Sequence, residues 1–257
     1  MRADFAHDLR RSVERAQQKH DIDFVPGCAD LGDFDATSTT IALAPVQAGE
    51  ALPRAALERT FEKYWEFFVA RRGGEAWDAF TPYEIRNIGA FVRLGWRDRA
   101  NELLQFFLAQ ERPQAWRQWP EVVWRDARTP HFLGDLPHAW VGSDYVRSVL
   151  DMLAYEDEAT QSLVLAAGVP LAWLRGAGVT VRDLPTPFGR LSYTARLAGE
   201  SIRIHVESGL RVPKGGIVLR PPGAGGSATV NGRAQSLVAN DIVLSTLPAD
   251  LEITGRR

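Results

Sequence analysis

Leu191-Ser-Tyr-Thr-Ala-Arg-Leu-Ala-Gly-Glu-Ser-Ile-Arg-Ile-His-Val206 alternates apolar and polar residues on both sides of Gly199-Glu200. In an extended chain successive side chains point to opposite faces. Leu191, Tyr193, Ala195 and Leu197 therefore share one face, and Ile202, Ile204 and Val206 share one after the turn. This pattern predicts a β-hairpin with one buried side. Further short strands are predicted at 216–220, 227–230, 241–245 and 251–254. Asn231-Gly232 follows the second of these, and this dipeptide suits a tight hairpin whose two central residues need positive φ. Short strands punctuated by Gly and Pro predict a small antiparallel β-sandwich.

Upstream of about residue 160 the apolar period changes from two to that of a helix. Phe5, Leu9, Val13 and Ala16 form one stripe, and Leu57, Phe61, Tyr64, Trp65 and Phe68 a second. Ile85, Ile88, Phe91 and Val92 form a third, Leu103, Leu104, Phe107 and Leu108 a fourth, and Tyr145, Val149, Met152 and Leu153 a fifth. A shorter helix is predicted over 36–44, capped by Asp35 and stopped by Pro45. Thr81 and Pro82 suit the cap and first turn of another helix, which Gly95 ends. Helices followed by strands predict an α+β multidomain chain, with a helical domain over 1–160 and a β domain over 161–257.

The 257 residues are 45% apolar and 24% charged, the balance of a globular protein with a sizeable core. A net charge of −2 argues against a nucleic-acid surface as the main feature. The lone Cys28 excludes an internal disulfide. No apolar run approaches the ~20 residues that span a bilayer. The first residues, MRADFAHDLRRS, lack the apolar centre of a secretory signal and read as a helix.

Three long loops, 21–34, 72–81 and 112–139, are rich in Pro, Gly, Trp and Asp. Loops of such length inside a compact domain are usually working surfaces. In the last one, Arg117-Gln-Trp-Pro-Glu121-Val-Val-Trp124 places a single carboxylate among Trp116, Trp119 and Trp124. Sugar rings stack on indoles, and glycosidic cleavage uses carboxylic acids. Glu121 reads either as a general base or acid, or as a surface glutamate after Pro120. Asp30, Asp33 and Asp35 could bind a cation or sugar hydroxyls, but the run lacks the closing Glu of a calcium loop. Asp35 as a helix cap and Asp33 as a turn former is the competing reading. Glu84 stands one turn before Asn87 and reads as a candidate substrate contact or as a first-turn helix acid. His138 and Trp140 read as a hydroxyl ligand and a stacking ring, or as a loop histidine and a core tryptophan. No second His or Cys stands at metal-ligand spacing, and His131 and His138 are separated by a proline-bounded loop, so no metal site is expected. A nucleophile elbow and a phosphate loop are both missing from the sequence.

Taken in order, Trp119-Pro-Glu121-Val-Val-Trp124, Pro137-His-Ala-Trp-Val-Gly-Ser143 opening a long helix, Val230-Asn-Gly232 and Leu247-Pro-Ala249 resemble the C-terminal part of a six-hairpin glycosidase. The pattern is most similar to the α-L-rhamnosidases and their relatives. The resemblance implies that Glu121 is the general base, with His138 and Gly142 in the motif that starts the last barrel helix. It implies that Trp116, Trp119, Trp124 and Trp140 line sugar subsites, and that Asp33, Asp35 and His138 hold hydroxyls. Two positions depart from the pattern: Pro120 separates Trp119 from Glu121, and Pro137 precedes His138 where the family has asparagine.

A six-hairpin toroid has two helices in each of its six hairpins, and the pattern predicts about half of that total here. The expectation is therefore half of an (α/α)6 toroid followed by a β-sandwich, with the general acid on the missing half. Such a half ring would expose a large apolar face, so a fragment of a longer protein, or a partner that completes the ring, is expected. The functional expectation is an inverting glycoside hydrolase with little activity alone and no cofactor. The alternatives are a non-catalytic carbohydrate-binding module, and a helical scaffold whose tryptophans are core.

Overall fold

The computed structural model of the chain describes residues 2–77, 80–126, 134–223, 226–238 and 240–255. Among these residues six α-helices precede ten strands, so the class is α+β as the two periodicities predict. The chain forms two compact units, Met1–Val149 and Leu150–Arg257. The second unit takes in the end of the last helix and the strand pair that follows it, β1 (Ala154–Asp157) with β2 (Ser162–Leu165). All four residues of β2 are buried, so the strand shows no alternation to read.

The first unit holds α1 (Arg2–His20), α2 (Ala36–Thr39), α3 (Arg54–Gly73), α4 (Asn87–Arg93), α5 (Arg97–Leu108) and most of α6 (Ala139–Leu153). The expected caps are in place. Asp35 Oδ1 accepts the Ser38 N–H at 2.9 Å, starting α2, which passes into a 3-10 turn over Thr40–Ala42. Thr81 Oγ1 accepts the Tyr83 N–H at the head of a 3-10 turn over Pro82–Arg86. Gly95 takes φ 82° just past α4, where the left-handed conformation ends the helix.

The core of this unit is aromatic. Phe91 on α4 meets Phe61, Tyr64 and Trp65 of α3 at centroid distances of 6.4, 6.0 and 5.9 Å, and Trp96 at 5.6 Å. Every residue of Asn87–Val92 is buried, so α4 is the helix around which α3 and α5 close. On α1 only Val13 and Ala16 of the stripe are buried, and Phe5 is exposed.

The second unit contains two sheets. One has the order β1-β2-β6-β9, with β6 (Ile217–Leu219) and β9 (Ile242–Leu244). The other has the order β3-β4-β5-β10-β7-β8, with β3 (Val179–Thr186), β4 (Gly189–Ala198), β5 (Ser201–Val206), β7 (Ser227–Val230), β8 (Arg233–Gln235) and β10 (Ala249–Thr254). The hairpin at Gly199-Glu200 forms as expected, pairing Leu197 with Ile202. Asn231 and Gly232 take φ 50° and 75° in the β7–β8 turn. One pair departs from the all-antiparallel expectation: β2 runs parallel to β6. The chain leaves the first sheet after β2, builds three strands of the second and then returns, a crossover that no local pattern encodes.

Leu163, Leu165, Ile217 and Leu244 of one sheet and Leu191, Ile204, Leu251 and Ile253 of the other belong to one buried cluster. Tyr193 closes it. Burial raises its hydroxyl above the ordinary value, so it stays a donor and gives its hydrogen to the Leu153 carbonyl at 2.9 Å.

Core and surface aromatics should separate cleanly in a urea titration followed by far-ultraviolet circular dichroism. Phe91→Ala empties a fully buried ring site and should cost about 3–5 kcal/mol. Trp140→Ala removes a ring that is 70% exposed and should stay within about 0.5 kcal/mol. Comparable losses for both would contradict the packing described.

Candidate functional site

The candidate site is built on the 112–139 loop. Trp119 anchors it: the indole is buried, its Nε1–H donates to the Phe107 carbonyl of α5 at 2.7 Å, and its ring lies 5.0 Å from Tyr145 of α6. Main-chain bonds then stitch three segments together. Glu121 N–H donates to Asp135 O at 2.9 Å, Gly134 N–H to Val122 O at 2.7 Å, and His138 N–H to Trp119 O at 2.9 Å. Val123 N–H donates to Phe80 O, and Thr81 Oγ1 donates to Glu121 O at 3.0 Å. The approach at Gly134 leaves no room for a side chain. A Cβ there would meet Val122 O at 2.9 Å and Glu121 Cβ at 3.0 Å.

This stitching brings Glu121, Asp135 and His138 together, with one ligand-type atom of each within 4.8 Å of the others. Glu121 is half-buried and Asp135 exposed. His138 is held by Tyr83, whose hydroxyl lies 2.5 Å from Nε2, while Nδ1 faces Asp135 Oδ2 at 4.0 Å. Tyr83 is held in turn by Arg86, whose guanidinium lies 5.0 Å from its ring centroid. Arg86 also donates twice to Asp144 Oδ2, at 3.0 and 2.5 Å, and Asp144 Oδ1 takes Arg147. Burial, and then the negative charge of Glu121, raise the Tyr83 hydroxyl above its ordinary value, against the pull of Arg86. Trp140 stands at the rim, its ring edge-on to His138 at 5.9 Å and its surface open to solvent.

The arrangement can do two things. With Tyr83 donating to Nε2, Nδ1–H is a donor on the side of Asp135, and the Glu121 carboxylate stands in the same cluster, a set suited to hydroxyl groups and water. With the opposite tautomer, Nδ1 and the two carboxylates would present three oxygen and nitrogen ligands to a divalent cation, with open positions left over. The sequence has no second His or Cys at ligand spacing, and the other ligands here are acids that only the fold brings to His138.

The other sequence candidates divide. Trp116 stands exposed on the 3-10 turn Gln114–Trp116, beside the left-handed Arg117 (φ 52°). Trp124 is half-buried and its carbonyl accepts Arg112 Nη1 at 2.9 Å. Gly142 has only ordinary room around it, since a Cβ would find Gln118 Oε1 at 3.7 Å. Asp33 accepts the Cys28 N–H at 2.8 Å and Asp35 caps α2. Among the described residues neither carboxylate bonds to the Glu121 cluster. Glu84 is buried, and Arg71 takes both of its oxygens at 3.1 and 3.0 Å, so it ties the Pro82–Arg86 turn to α3. The Tyr64 hydroxyl and Trp77 indole face the same carboxylate without closing a hydrogen bond of ordinary geometry. His131 lies outside the described residues. Sequence reasoning missed Tyr83 and Asp135, while Arg86 and Asp144 stand out in the sequence beside Glu84 and His138 without a role to assign them. Asp135 left a local trace, three residues before His138.

Comparison of the chain with protein-family models and with curated proteins returns no match.

Glu84 makes a pH prediction. Burial raises its carboxyl above the ordinary 4.5, and Arg71 opposes that rise without cancelling it. The folded state therefore holds the proton to higher pH than the unfolded chain does. Stability contributed by this group is full below about 4.5 and falls as pH rises through the raised folded value. Between pH ~4.5 and neutrality the urea midpoint of the native protein should decline relative to that of Glu84→Gln. Parallel midpoint curves would show that Glu84 ionises as an ordinary carboxyl.

Proposed function

We propose that this chain carries the base-bearing side of a glycoside hydrolase site, on a scaffold of the six-hairpin, α-L-rhamnosidase-like type. The observation that carries the reading is the convergence of Glu121, Asp135 and His138 beside the exposed Trp140. Glu121 is half-buried, and among the described residues no hydrogen bond or ion pair engages its carboxylate. It is thus available to take a proton from water, the task of the base in an inverting glycosidase. His138, oriented by Tyr83, and Asp135 offer a donor and an acceptor for sugar hydroxyls. Trp140 offers a ring face, with Trp116 and Trp124 on the same loop.

Distance decides what Asp135 does. The acid and base of an inverting pair stand about 6.5–9.5 Å apart, leaving room for water on the far face of the sugar. Asp135 and Glu121 approach within 4.8 Å, so Asp135 is a hydroxyl ligand or a partner for the water, and the acid comes from elsewhere. The finer fold follows the same reading. Six helices are half of what a complete six-hairpin ring takes, and the two sheets with a common buried cluster supply the layers of a β-sandwich. The remaining helices of the ring, or a second half-barrel, would bring the general acid. The partner is a carbohydrate, and the reading needs no cofactor, nucleic acid or membrane.

One observation favours a second reading, a non-catalytic carbohydrate-binding module. Trp116 and Trp140 are 59% and 70% exposed, stacking platforms that need no acid–base pair.

The test pairs binding with turnover. L-Rhamnose and a panel of neutral monosaccharides are titrated calorimetrically into the protein, and release of p-nitrophenol from the matching aryl glycosides is followed. Trp140→Ala should weaken sugar binding roughly tenfold, the scale of one stacking contact. Glu121→Gln should leave binding in place and lower any turnover by about 10²–10⁴. Unchanged turnover in Glu121→Gln removes the base assignment. Binding without turnover even once the acid-bearing half is restored supports the module reading.

A further inference from the structure

The second unit has a groove of its own, about 500 Å³, on the face of the six-stranded sheet turned away from the buried cluster. Strand register explains its lining. Thr180 pairs with Thr194, Thr194 with His205, and His205 with Asp250, so these four form one polar row across β3, β4, β5 and β10. Two residues along, Arg196 pairs with Arg203, Arg203 with Glu252, and Glu252 with Thr229, forming a second row across β4, β5, β10 and β7. Four strands at ~4.8 Å spacing give each row a span of roughly 14 Å. The volume is that of a small-molecule site.

The second row breaks a rule of sheet stability. Like charges directly opposite one another on neighbouring strands repel, yet Arg196 faces Arg203. Glu252 answers only Arg203, and at a loose 3.5 Å. Among the described residues the Arg196 guanidinium has no hydrogen bond or ion pair. In the first row His205 Nδ1 is engaged by Asp250 Oδ1 at 2.7 Å, and among the described residues Nε2 and the second Asp250 oxygen are uncommitted. The threonine hydroxyls can donate or accept. Local like-charge opposition without a compensating structural gain marks a functional position.

We propose that this groove binds an acidic oligosaccharide, with a sugar carboxylate between Arg196 and Arg203 and ring hydroxyls on Thr194, Thr229, His205 and Asp250. A carboxylate there relieves the Arg–Arg repulsion and accepts two guanidinium forks, the geometry in which arginine holds carboxylates best. The mixed donors and acceptors beside it match hydroxyls, which a bare anion lacks. The site goes beyond the Glu121 reading and stands without it.

The experiment is calorimetric titration of the whole chain with trigalacturonate, maltotriose and inorganic phosphate. Trigalacturonate should bind at least ~10-fold more tightly than maltotriose or phosphate, and its binding should weaken with added salt. Arg196→Gln should lower that affinity ~10-fold, and Glu121→Gln should leave it unchanged. Equal affinity for maltotriose removes the acidic class, and phosphate binding as tightly as trigalacturonate removes the sugar. No uptake of trigalacturonate, or uptake indifferent to Arg196→Gln, overturns the site. A loss in Glu121→Gln but not in Arg196→Gln places acidic sugar in the first unit instead and overturns the groove.

Discussion

The bond from the Trp119 indole to the Phe107 carbonyl is the interaction on which the candidate site depends. It buries one of the tryptophans of the loop and satisfies an indole donor that would be costly to bury alone. It also fixes where the chain passes α5. From that point the backbone bonds of Glu121, Val123, Gly134 and His138 set the two loop segments against each other and against residues 80–81. A side chain at 134 would push the segments apart. The site is therefore held by packing and main-chain geometry, which place Glu121 without tying down its carboxylate.

Around this frame, arginines set position more than stability. Arg71 holds Glu84 and Arg86 holds Asp144, and the acids of both pairs are buried. Taking charges from water costs several kcal/mol per ion before pairing offsets it, so neither pair is an efficient way to stabilise a domain. Both act on the short turn that carries Tyr83. Glu84 binds the turn to α3, while Arg86 reaches from the turn to α6. Between them they set the Tyr83 hydroxyl against His138 Nε2. A histidine so held presents a fixed ring edge to Glu121 and Asp135.

What could be read from the sequence was local. The β4–β5 hairpin, the Asn231-Gly232 turn, the Asp35 and Thr81 caps and the aromatic stripes of α3 and α5 each follow from residues a few positions apart. What could not be read was long-range. The buried strand β2 has no alternation, so the second unit starts earlier than its pattern. The parallel pairing of β2 with β6 depends on a crossover through the other sheet. The tryptophans of the loop look alike in sequence, yet Trp119 is core while Trp116 and Trp140 are surface. Asp33 and Asp35 were equally ambiguous, and their hydrogen bonds are those of a turn and a cap. Asp135 and Tyr83 join the site only because strands of loop far apart in sequence are bonded together.

The chemistry of the cluster turns on one proton. The Tyr83 side chain is half-buried and stands near the negative charge of Glu121, and both effects keep its hydrogen in place. A hydroxyl that keeps its hydrogen can donate to His138 Nε2. The imidazole proton then sits on Nδ1, on the side of Asp135, whose carboxylate attracts it. That tautomer is the electrostatically favoured one, since the reverse leaves a lone pair facing an anion. It gives an alternation of acceptor, donor and acceptor along one rim, complementary to neighbouring hydroxyls on a sugar ring. A divalent cation at the same place would require the opposite tautomer and would occupy the Glu121 oxygen that a base must keep free. The tyrosine–histidine bond thus bears on the proposed reaction without touching substrate: it favours the state in which Glu121 can act.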